Sequence, residues 1–167
     1  AATAFSVSEL KPSQSTMKIS NSVGMAISML ANRQGRAGMP IGGDLGGFIS
    51  SDKHIMDGHH RWVATAMVDP TEKVVGYYVE FPATELIAVL NNITKGRFKR
   101  MTGKPGSGSF ADFNYGGILK QLQEYATNGV PGEFPRPAPD VLQTCEEFTG
   151  LKGQEAVTAT AKKFAEN

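Results

Sequence analysis

The chain has 167 residues, with 17 Lys and Arg against 16 Asp and Glu, so it is long enough for one substantial core and too short for two. Charge this close to balance excludes a broad electrostatic surface for nucleic acid, and any DNA contact has to come from a local patch. The single cysteine, Cys145, excludes an internal disulfide, which suits a reducing compartment and equally a disulfide-free exported or virion protein. No apolar run reaches bilayer-spanning length, and the first residues lack the charged start and apolar stretch of a signal peptide, so no membrane partner is expected. The start at Ala1 reads as a processed or trimmed chain.

Phe5-Ser6-Val7 alternates apolar and polar before Pro12, which predicts a first strand leading into a turn. Val23, Ile27, Met29 and Leu30, with Ala26 and Ala31, recur at helical spacing and predict a helix from about Ile19 to Asn32, capped by Ser20 or Asn21. Met25 and Met29 on its face read as core filler. Residues 34–47 carry Gly35, Gly38, Gly42, Gly43, Gly46 and Gly47, a density that predicts a mobile loop or one wrapped closely around a ligand. The segment Gly42-Gly43-Asp44-Leu45-Gly46-Gly47 has no P-loop lysine, so it reads as structural. Arg33 and Arg36 stand at the loop entrance, where a cation facing a phosphate site neutralises its charge.

The run from Phe48 to Met56 predicts a strand, Asp57-Gly58 a tight turn, and His59 onward a helix stopped by Asp69-Pro70. Lys73 to Phe81 is the clearest strand, rich in β-branched and aromatic residues. Pro82 and Glu85 open a further helix with Leu86, Ile87, Val89, Leu90 and Ile93 on its apolar face. Lys95-Gly96-Arg97-Phe98-Lys99-Arg100 and Lys104 form a basic segment suited to a phosphate backbone or to a helix C-terminus, and Gly103 to Ser109 reads as a linker. Helices are then expected around Ile118 to Tyr125, from Pro139-Asp140 to Phe148, and from Glu155 to Ala165. The long connection between Gly129 and Pro139 and the acidic pair Glu146-Glu147 argue against a helix-turn-helix and for a helical packing unit.

Chemistry concentrates in Asp57-Gly58-His59-His60-Arg61. A glycine between a strand and a helix permits a sharp turn, and the first helical N–H groups then lack intrahelical partners. With two imidazoles and a guanidinium added, the turn suits phosphate oxygens. The competing reading leaves Asp57 as a helix cap and the other side chains solvated or ion-paired. His59 or His60 beside a phosphate also suits general acid catalysis, and Asp57 suits a divalent metal if Asp52 or Asp44 joins it.

The stretch Gly58-His59-His60-Arg61-Trp62-Val63-Ala64 resembles the Gly-x-x-Arg-x-x-Ala turn of the ParB/sulfiredoxin superfamily, and Phe5 to Gln14 is similar to that family's opening strand and leucine-x-proline segment. The resemblance covers roughly the first half of the chain. It implies an α+β fold with a small mixed sheet and flanking helices over residues 1–100, followed by a helical subdomain or appendage over 110–167. His59 stands where sulfiredoxins carry their cysteine, which argues against their chemistry. His59 and His60 also differ from the Glu-Arg of partition proteins, while Arg61 matches. The closest turn is the Asp-Gly-His-x-Arg of free-serine kinases, matched by Asp57, Gly58, His59 and Arg61. On that carry-over Gly58, His59 and Arg61 hold phosphate and Asp57 orients a metal or a hydroxyl acceptor, with His60 at the variable position. The chemistry of the turn itself adds His60 to the phosphate donors and makes Asp57, His59 and His60 the catalytic candidates, with Asp57 the metal ligand. The expected ligand is a nucleoside triphosphate, ATP or CTP, with Mg2+. A metal-dependent DNA nuclease, with DNA as partner, is the second expectation. A virion or assembly component that retains the fold, as a homo-oligomer or with other virion proteins, is the third. The corresponding locations are the cytoplasm of a bacterial or phage-infected cell and the virion.

Overall fold

A computed structural model describes residues 2–93 and 110–167, so the basic segment and linker expected at 95–109 lie outside the described residues. The protein is a mixed α/β fold built on one five-stranded sheet. Strand β1 is Ala2–Ser6, β2 Lys11–Pro12, β3 Gly43–Ile49, β4 His54–Ile55 and β5 Lys73–Tyr78, in the order β1-β5-β3-β4-β2. β1 runs antiparallel to β5, with Phe5 opposite Val74, while β3 lies parallel to β5. β4 turns back antiparallel on β3, and β2 closes the far edge parallel to β4.

Six helices complete the described residues: α1 Ile19–Arg33, α2 His59–Val68, α3 Ala83–Ile93, α4 Tyr115–Asn128, α5 Ala138–Thr149 and α6 Gly153–Glu166. No helix among them is long and apolar enough to cross a membrane. α1 begins where its periodicity predicts but without a side-chain cap, Lys18 rather than Ser20 or Asn21 standing at its N-cap. Val23, Ala26, Ile27, Met29, Leu30 and Ala31 are all buried, so α1 is enclosed on most sides, as an apolar helix must be. Its main neighbours are α2, α4 and α5, with α6 packed on α2, α4 and α5, and a single apolar cluster joins Ile27 and Leu30 to Met67, Leu122, Val141 and Phe164. The C-terminal helices therefore pack on α1 and α2. A second cluster fills the space between sheet and α2, where Phe5, Leu45, Ile49, Ile55 and Val74 meet Trp62 and Ala66.

The glycine-rich span is part connection and part strand. Residues 34–42 connect α1 to the sheet, but Gly43–Ile49 is the central strand β3, correcting the expectation of a loop up to Gly47. The reason is close approach: a Cβ on Gly47 would stand 2.7 Å from the Asp57 Cβ, so this strand carries glycine where it passes the turn. The strand expected from Phe48 to Met56 is interrupted, because Ser50 to Lys53 forms the turn into β4. Asp52 organises that turn and the next helix. Its carboxylate accepts from the Ser50 hydroxyl and from the Ala83 N–H at 2.9 Å, and the Ser50 bond above all holds its pKa down to about 2.

Arg33 and Arg36 face α5 instead of the turn. The Arg36 guanidinium bonds Asp140 and Glu147, each at 2.8 Å, and Arg33 lies 5.7 Å from the Phe148 ring centre. Asp140 also accepts from Arg136, so one carboxylate ties the α1–β3 connection and the loop before α5 to the same helix.

Candidate functional site

Gly58 occupies the N-cap of α2 at φ 77°, in the left-handed region where an L side chain is strained. Its neighbour Asp57 does not cap the helix directly but folds back, its carboxylate accepting from the Gly58 N–H at 2.7 Å. No side chain among the described residues caps α2, and its first turn carries no acid. The first intrahelical bond runs from Trp62 N–H to the Gly58 carbonyl, which leaves the amides of His59, His60 and Arg61 as the free positive end of the helix.

That end opens into a cleft of about 400 Å³ walled by residues 57–61 together with Gln14, Met25 and Leu45. The structure thus brings all five turn residues to one opening. Gln14, Met25 and Leu45 are additions the sequence did not flag. Gln14 lies at the end of the segment carrying the family resemblance, a usable signal. Met25 carried only the pattern of a core residue.

Arg61 spends one arm on the protein, its Nη1 donating to the Gly42 carbonyl at 2.8 Å. A Cβ on Gly43 would come within 3.1 Å of the same nitrogen, so the start of β3 is shaped around this guanidinium. No carboxylate pairs with Arg61 among the described residues. Its remaining N–H groups stay available for an anion.

The two imidazoles face another segment of the chain. His59 is only 4% exposed and its Nε2 accepts from the Ser13 N–H at 3.1 Å. His60 Nε2 accepts from the Lys18 N–H at 3.4 Å, and the Ser22 hydroxyl donates to the His60 carbonyl. Both rings therefore fasten the connection between β2 and α1 across the first turn of α2. Accepting through Nε2 requires the neutral ring with its proton on Nδ1. Burial, with His60 nearby, pushes the His59 pKa down to about 4. Burial also lowers His60, reinforced by Lys18 and opposed by Asp57. An imidazole held neutral at pH 7 has no proton to give from Nε2, which weighs against His59 as a general acid.

Stability should record this. Above pH 6.5 His59 is neutral both folded and unfolded; between 6.5 and about 4 the unfolded chain takes up a proton that the folded one refuses. Stability should therefore fall by about 3 kcal/mol as pH drops through that window. Urea unfolding between pH 7 and 4 checks it: His59→Gln should flatten the slope, and an unchanged slope would assign the pH dependence elsewhere.

The other proposed metal ligands are dispersed. Asp44 accepts from the Gly46 N–H at 2.8 Å, Asp52 caps α3, and no group of three or more His, Cys, Asp or Glu side chains suited to a metal occurs among the described residues. Asp57 remains an exposed carboxylate at the cleft. Comparison of the chain with protein-family models, with curated proteins and with solved structures finds no match in any of the three.

Proposed function

We propose that the protein binds a phosphate ester, foremost a nucleoside triphosphate, at the N-terminus of α2, in the manner the ParB/sulfiredoxin resemblance implies. The observation that carries this reading is the uncapped first turn of α2, opening into a cleft beside an Arg61 that no carboxylate among the described residues neutralises. Unpaired amides, the helix dipole and a guanidinium together make an anion site. Gly58 supplies the turn, the amides of residues 59–61 and the guanidinium of Arg61 supply the donors, and His59 and His60 position the wall that contains Gln14. Asp57 lines the same cleft, so a divalent cation between its carboxylate and the phosphate is part of the reading. Mg2+ fits, since it takes one or two carboxylates plus substrate phosphates and needs no protein cage. The neutral, bonded imidazoles favour binding over the nuclease alternative, which asks one of them to act as an acid.

The test is thermal unfolding with ATP, CTP, GTP and UTP, with and without magnesium, on the wild type and Arg61→Ala. A ligand at a hundredfold excess over its dissociation constant should stabilise the wild type by about 2.7 kcal/mol. Arg61→Ala should lose most of that shift. An unchanged transition with every nucleotide would overturn the reading.

A further inference from the structure

We infer that the ligand of the α2 turn is a nucleotide whose base lies in a second cavity, one that shares Met25 with the phosphate cleft. This rests on the phosphate reading above and adds the part of the ligand that the turn cannot recognise. The second cavity, about 330 Å³, lies between α1 and the loop joining α4 to α5. Met25 lines both spaces, and Asn21 lines the second one turn earlier on α1. The shared Met25 makes the two spaces neighbours, which is what a ligand with its phosphates in one and its base in the other requires.

The chemistry of the walls is that of a base pocket. Val130, Pro131 and Met25 are apolar, and Phe134 leaves 38% of its surface exposed as a stacking face. The exposed Asn21 amide and Glu133 carboxylate bring donors and acceptors for the polar edge of a heterocycle. A mostly apolar recess with a few polar groups is the usual composition of a small-molecule site, and its size admits one ring system.

The loop that carries Phe134 is framed. Val130 and Arg136 exchange backbone hydrogen bonds at 2.8 and 2.9 Å, and Arg136 is tied to Asp140. The Tyr125 hydroxyl donates to the Ser20 carbonyl at 2.9 Å, fastening α4 to the start of α1 beneath the cavity. Gly24 lets the loop sit close, since a Cβ there would stand 3.2 Å from Val130 Cγ1. Stacking on a held loop loses little conformational entropy.

Isothermal titration of the full chain with the four nucleoside triphosphates and with inorganic tripolyphosphate, all with magnesium, tests the inference. At least one nucleotide should bind about tenfold or more tightly than tripolyphosphate. Phe134→Ala should erase that advantage while leaving tripolyphosphate affinity unchanged, Asn21→Ala should reduce it, and Arg61→Ala should weaken every ligand. Phe134 and Asn21 are exposed enough that both variants should fold, which the fluorescence of Trp62 verifies. Equal binding of nucleotides and tripolyphosphate, or full nucleotide affinity in both Phe134→Ala and Asn21→Ala, would overturn the base pocket and leave the phosphate site standing. No binding of any of them would overturn both.

Discussion

Gly58→Ala should lower the stability of the protein by about 3 to 5 kcal/mol and abolish the proposed phosphate binding, because two independent penalties meet at that position. An alanine at φ 77° costs about 1–2 kcal/mol by itself. Its Cβ would also stand 2.5 Å from the Leu45 carbonyl oxygen and 2.8 Å from the Leu45 Cβ. Leu45 lies in the irregular stretch of β3 between the paired residues Asp44 and Phe48, yet it cannot retreat cheaply, since it is buried in the sheet cluster with Phe5, Ile49 and Val74. The turn must move instead, and with it the amides that face the cleft. Gly46→Ala separates the two penalties: Gly46 has φ 76° but nothing within 4 Å of a Cβ, so it should show the conformational part alone, about 1–2 kcal/mol. Urea unfolding of the two variants is the measurement. Equal losses would mean that contact with Leu45 adds nothing and that the turn adapts.

Phe164→Ala should cost about 3–5 kcal/mol, and the loss should be visible from the sheet side of the molecule. Phe164 is 2% exposed on α6, its ring 5.8 Å from that of Phe148, in the cluster that also holds Ile27, Met67 and Leu122. α6 reaches α2 through that cluster and through the Asn167 side chain, which donates to the Met67 carbonyl at 2.9 Å. Trp62 is the sole tryptophan, sits on α2, and donates to the Val7 carbonyl at 2.9 Å, so its fluorescence reports on the contact between α2 and the sheet. If α4 to α6 share one cooperative unit with that contact, Trp62 fluorescence and far-ultraviolet circular dichroism should shift together in Phe164→Ala. Dichroism lost ahead of fluorescence would instead show helices that unfold by themselves.

Elements whose side chains repeat with a strong period were legible from the chain. The spacing of Val23, Ile27 and Leu30 placed α1 within a residue of its observed end, because an enclosed helix needs apolar side chains at those intervals. The β-branched and aromatic run after Lys73 marked β5 for the same kind of reason, although pairing stops at Tyr78. The short strands β2 and β4 carry no period at all; two residues pair there because their neighbours hold them in place.

The Gly58 turn and its helix were also determined locally, by a glycine between a strand and an apolar-periodic segment, and so was the clustering of Asp57, His59, His60 and Arg61. What those side chains do depended on partners distant in sequence. His59 meets Ser13, His60 meets Lys18 and Arg61 meets Gly42, contacts that no local pattern encodes. Likewise the glycines of β3 resembled a loop because their purpose, room for the turn, belongs to another segment. Sequence alone determined where the turn forms and which chemical groups it carries, since backbone conformation and residue type are local properties. Only the tertiary structure decided which of those groups are committed to the protein and which remain for a ligand, because a hydrogen-bonding group's availability depends on what the fold packs beside it.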